Sequence, residues 1–125
     1  MTKSHAKHVL ALILLCIGSI ASATDGTQLL AACQEAEQFD ERKPVRDPFS
    51  IGTCLGLLEG VNGAMVALNS SLPVSIQTCF PEQRLAAVQA VRIAVKYLRE
   101  NPEKHHESAA YLVALAYRRA FPCNR

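Results

Sequence analysis

Apolar positions recur at helical spacing in four stretches of this chain. Between Thr27 and Gln38, Leu29, Leu30, Ala32, Cys33 and Ala36 fall on one helical face, and Asp25 or Thr27 can cap its start. The run from Phe39 to Ser50 carries Asp40, Glu41, Arg42, Lys43, Arg46 and Asp47 together with two prolines, so it reads as a solvated loop. Ser50 can cap a second helix from about Ile51 to Leu68. Pro81 suits the first turn of a third, which runs to about Glu100 with Leu85, Val88, Val91, Val95 and Leu98 on its buried side. Asn101-Pro102-Glu103 combines a cap, a proline and an acid in the order that opens a helix, and the fourth helix ends near Ala120, ahead of Pro122. The pattern predicts an all-α fold: a small single-domain bundle of about four helices, without strands.

Two stretches depart from simple amphipathicity. In the second helix Gly52, Gly56, Gly60 and Ala64 recur every four residues and make one smooth stripe. A glycine inside a helix costs about 1 kcal/mol relative to alanine, so several on one face suggest a close backbone neighbour. Packing within the domain is the expected reason, and a dimer seam the rarer one. The uncharged loop from Asn69 to Thr78 places Leu72, Val74 and Ile76 alternately with polar or proline positions. Such residues either tuck under a helix or stand out as a binding ridge. Asn69-Ser70-Ser71 also matches a glycosylation sequon, a frequent chance match.

The N-terminus changes the picture of where the protein works. Lys3 and Lys7 precede an apolar run from Val9 to Ile20, and Ala21-Ser22-Ala23 follows, the three-part form of a cleavable export signal. Residues 1–23 are therefore expected to be removed, leaving residues 24–125 as a soluble exported domain. Cys16 is a poor lipid-attachment site, because Leu15 stands before it where a small residue is wanted. Removing 23 of the 125 residues leaves 102, a length that suits one domain. Of 13 basic residues, Lys3 and Lys7 go with the signal, so 11 remain against 11 acidic ones. That balance gives no support for nucleic-acid binding.

Cys33, Cys54, Cys79 and Cys123 remain, an even set in an exported chain and so a disulfide framework. In an antiparallel helix pair the end of one helix lies beside the start of the next. Cys33 should therefore meet Cys54, and Cys79 should meet Cys123. The chemistry is otherwise sparse: there is no CxxC, no HExxH, no phosphate-binding loop and no serine in a nucleophile motif. His105 and His106 are neighbours that point about 100° apart on a helix and cannot chelate one metal. His106, on a face with Ala110, Val113 and Tyr117, is expected to be a packed core residue. No catalytic residue, metal or cofactor is predicted.

The strings Cys54-Leu55-Gly56-Leu57-Leu58-Glu59-Gly60-Val61, Cys79-Phe80-Pro81, Val95-Lys96-Tyr97-Leu98, Pro102-Glu103 with His106, and Ala120-Phe121-Pro122-Cys123 resemble the Rap/Tai immunity proteins. Leu29-Leu30 with Cys33, and Ala109, Leu112-Val113 and Ala116, fit the same pattern, which spans essentially the whole exported chain. Leu57 stands where the family usually has an aromatic, and the segment from Pro81 to Gln89 lacks the family's helix-capping threonine. The resemblance implies a small helical periplasmic protein, often a homodimer, that neutralises peptidoglycan amidase effectors delivered by type VI secretion. No binding residue follows from it. Leu72, Val74 and Ile76 are the partner-binding residues chosen here, as a ridge that enters the amidase cleft. A periplasmic acid-stress chaperone without a toxin partner is the rival reading, and it predicts client binding in acid rather than one folded partner at neutral pH.

Overall fold

The computed structural model describes residues 24–123. They form four helices, α1 (Gly26–Asp40), α2 (Pro48–Leu68), α3 (Ala87–Glu100) and α4 (Ala109–Ala120). Among the described residues there is no strand, only two isolated antiparallel bridges, Asp25 with Ser108 and Thr78 with Pro122. The expected export signal, residues 1–23, lies outside the described residues.

Local capping explains where α1 and α2 begin. Asp25 accepts from the Gln28 N–H at 2.9 Å while the Gln28 side chain accepts from the Asp25 N–H at 3.3 Å, a reciprocal capping box. Asp47, not Ser50, caps α2. Its carboxylate accepts from the Phe49 N–H at 3.0 Å and from the Ser50 hydroxyl at 2.6 Å, and Pro48 occupies the first turn.

The last two helices start later than the sequence pattern predicts, and tertiary contacts are the reason. Pro81 does not open α3. The Cys79 N–H donates to the Phe121 carbonyl at 2.9 Å and its sulfur bonds Cys123, which holds the chain at the far end of the bundle. No Ser, Thr, Asp or Asn lies between Pro81 and Ala86, and Ala86 offers no side-chain cap. Asn101-Pro102-Glu103 starts only a 3-10 turn, Pro102–Lys104. The following backbone is committed elsewhere: Gly26 N–H donates to His105 O at 2.9 Å, and Ala109 N–H to Thr24 O at 2.8 Å. Helix α4 begins once those bonds are made.

Leu29, Leu58, Val95, Leu98, Leu112, Val113 and Tyr117 fill the core. The Tyr117 hydroxyl donates to the Leu58 carbonyl at 3.2 Å, tying α4 to α2, and burial pushes its pKa up to about 12. Both expected disulfides are present: Cys33–Cys54 joins α1 to α2, and Cys79–Cys123 joins the segment before α3 to the chain after α4. Surface ion pairs, Arg92 with Asp40 and Arg99 with Glu37, add a weak tie between α1 and α3.

One charge in the long loop is structural rather than merely solvated. Glu35 is buried and accepts from the Arg46 N–H at 2.9 Å and from Arg46 Nε at 3.1 Å, clamping the α1–α2 connection onto α1. These hydrogen bonds hold its carboxyl below the usual carboxylate range.

Candidate functional site

All four cysteines among the described residues are disulfide-bonded, and no cluster of three or more His, Cys, Asp or Glu among them has a metal-binding arrangement. The packed position expected of His106 falls to His105 instead. His106 is exposed beside Glu107, because it precedes α4 rather than lying on it. His105 is the packed one, its Nε2 2.8 Å from the Leu98 carbonyl.

The conspicuous surface is apolar and runs along α2 into the loop that follows. Leu72, Val74 and Ile76 are exposed by 37%, 52% and 38%, so of the two arrangements open to this loop they take the outward one. The loop is braced at several points. Asn69–Ser71 and Val74–Ile76 are 3-10 turns, the Thr78 N–H donates to Asn69 Oδ1 at 2.9 Å, and Gln77 Nε2 donates to the Leu72 carbonyl at 2.9 Å. Just beyond it, the Thr78–Pro122 bridge and the Cys79–Cys123 disulfide anchor the C-terminal end.

The glycine stripe of α2 also faces outward, which corrects the expectation of close packing inside the domain. A Cβ built at Gly52, Gly56, Gly60 or Gly63 meets nothing within 4 Å. Helix α2 is buried only along the side carrying Cys54 and Leu58. With the turn after it, α2 is long and apolar enough by composition to cross a membrane, yet that buried side is pinned by the Cys33 disulfide and the Tyr117 hydrogen bond. Phe49, 81% exposed, stands at the N-terminal end of the open face, with Val66 and Leu68 exposed toward the other. Sequence reasoning missed all three, although an aromatic beside Pro48 in a charged run was a visible anomaly. Two open clefts of about 340 and 390 Å³ meet at Leu55 and Ala87, lined mainly by apolar side chains. Neither holds a histidine or a cysteine.

The family model for Rap1a immunity proteins matches residues 25–123, from the Asp25 cap to the last disulfide cysteine. The chain belongs to that family. The match covers all four helices and both disulfides of this Rap1a immunity protein. Membership makes it a non-enzymatic protein whose partner is a type VI secretion toxin, which it inhibits. No curated protein and no solved structure matches the chain.

Proposed function

We propose that this Rap1a immunity protein works in the periplasm after losing residues 1–23, and that it is a homodimer which inhibits a peptidoglycan amidase effector by occluding its catalytic cleft. Leu72, Val74 and Ile76 form the ridge that enters the cleft. The observation that carries this reading is the combination of exposure and restraint at that loop: three branched apolar side chains face solvent on backbone braced by Asn69, Gln77 and the Cys79–Cys123 disulfide.

Restraint matters because a loop already in its bound form loses little entropy on docking, which leaves more of the apolar contact energy as affinity. The inhibitor needs no chemistry of its own, since filling the cleft keeps the peptide substrate from the nucleophile. Two disulfides in a chain this small support an oxidising compartment, in keeping with the signal-like N-terminus. The amidase rests on the resemblance to Rap/Tai proteins.

Co-expression in the periplasm with the cognate amidase tests the reading. Protection from lysis and a stable complex at neutral pH are expected. Lysis despite normal folding would overturn it, and protection of unfolded clients in acid without any effector complex would move the assignment to the chaperone reading.

A further inference from the structure

The ridge loop leaves α2 at Asn69 and returns to the body of the molecule at Thr78, and one hydrogen bond joins those two points. Asn69 Oδ1 accepts from the Thr78 N–H at 2.9 Å, across nine positions of sequence. Both ends of that bond are fixed. Asn69 follows the last turn of α2 and keeps helical backbone angles, φ −55° and ψ −43°. Thr78 is 2% exposed and pairs with Pro122 in an isolated bridge. It precedes Cys79, whose N–H donates to the Phe121 carbonyl and whose sulfur is bonded to Cys123.

Between those ends, the hydrogen bonds of residues 72–77 among the described residues stay inside the loop. The Leu72 N–H donates to the Asn69 carbonyl, the Ile76 N–H to the Pro73 carbonyl, and the Gln77 side chain to the Leu72 carbonyl. These bonds give the loop its shape and travel with it. They do not fix its direction.

We infer that Asn69 is the positioning residue of the ridge: its carboxamide oxygen pins the two legs of the loop together at the neck, and so selects the outward stand of Leu72, Val74 and Ile76 over the tucked one. The inference rests on the ridge reading of the proposed function. A loop closed at its neck has to bulge away from the body. Opened there, it can lie over and bring its branched apolar side chains toward the exposed Val66 and Leu68 in the last turn of α2.

Nothing beside Thr78 takes the place of that oxygen. The Thr78 hydroxyl is buried with no hydrogen-bond partner among the described residues, although a rotating hydroxyl takes any acceptor within reach. The N–H next to it therefore has no alternative, and leaving it unmade costs more than the made bond contributes. The asparagine of the sequon match Asn69-Ser70-Ser71 thus has a structural reason for its place.

Effector binds the fraction of molecules whose ridge stands out, so losing the clamp lowers apparent affinity by that fraction. The loss falls on association, because a docked ridge keeps its contacts and leaves at the same rate. A residue that touched the effector directly would instead speed dissociation.

The test compares wild type, Asn69→Leu and Asn69→Asp, purified from the periplasm with both disulfides formed. Leucine nearly matches asparagine in shape and lacks the acceptor, whereas aspartate keeps it. Association and dissociation rates with the cognate amidase are measured alongside amide exchange at Thr78 in the free protein. Asn69→Leu is expected to associate at least about fivefold more slowly, the population change set by one net hydrogen bond, with dissociation and helical content unchanged. Its Thr78 amide should exchange faster, and Asn69→Asp should restore both slow exchange and fast association.

Wild-type association by Asn69→Leu, or a loss carried by faster dissociation, would overturn the positioning role while the ridge stands. Equal defects in both variants would also overturn it, since the acceptor would then not be what matters. An amidase bound equally well by a Val74→Asp, Ile76→Asp variant would overturn the ridge itself, and the role of Asn69 with it.

Discussion

Two glycines in this chain have opposite reasons for being there. At Gly26 an added Cβ would come within 2.9 Å of His105 Cα and 3.0 Å of His105 O, because the start of α1 lies against the backbone ahead of α4. Gly26→Ala is therefore expected to destabilise by about 1–3 kcal/mol, since backbone must move. At Gly56 an added Cβ meets nothing within 4 Å. Gly56→Ala should therefore stabilise by about 0.5–1 kcal/mol through helix propensity. Thermal melts of the two variants check the pair, and a destabilised Gly56→Ala would mean that something within the chain covers that face. Glu35 sets a second expectation. Its folded pKa lies below the ordinary 4.5, so its contribution is complete above that value and is lost as pH falls through the folded value. Glu35→Gln should flatten this acid limb of the Tm profile and speed amide exchange at Arg46, whose N–H the carboxylate holds.

At the scale of elements, what could be foreseen was what neighbouring residues decide. The buried positions Leu29, Cys33 and Ala36 and both disulfide pairings follow from spacing and from the geometry of adjacent helices, and spacing narrows the first cap to Asp25 or Thr27, of which Asp25 makes the capping box. The late starts of α3 and α4 do not. Pro81 and Asn101-Pro102-Glu103 are sound local start signals, but Cys79 is held by Phe121 and Cys123, and the backbone at His105 is held by Gly26. A four-residue glycine period shows that a smooth face exists, but it does not identify what lies opposite. The outward stand of Leu72, Val74 and Ile76 was equally open, because alternation of apolar and polar positions is the same for a tucked loop and a ridge.

The two staples differ in access. Cys33 and Cys54 are fully buried, whereas Cys79 is exposed. Mild reductant should open Cys79–Cys123 first and leave the helices formed, and Cys33–Cys54 should open only with global unfolding. Alkylation followed by peptide mapping checks the order, and early labelling of Cys33 would contradict it. The chain-entropy model assigns closures separated by 21 and 44 residues about 3.4 and 4 kcal/mol. In a domain with typical stability of about 5–15 kcal/mol, losing either is a large fraction.

Over the whole molecule, α2 divides its surfaces. Its inner side, through Cys54 and Leu58, belongs to the core, its glycine side is open, and the loop after its C-terminal end carries the proposed ridge. Gly56→Gln with Gly60→Gln, on the open side, is expected to leave the ridge functional, because a side chain at either position meets nothing within 4 Å at its Cβ.

The most direct test is a titration of the amidase's peptidoglycan hydrolysis with the wild-type protein and with a Val74→Asp, Ile76→Asp variant of unchanged helical content. Occlusion by the ridge predicts that the variant inhibits at least about 100-fold more weakly, because two charges enter a contact that must be dry. Equal inhibition by a well-folded variant would contradict the account and point instead to the loop between Phe39 and Ser50.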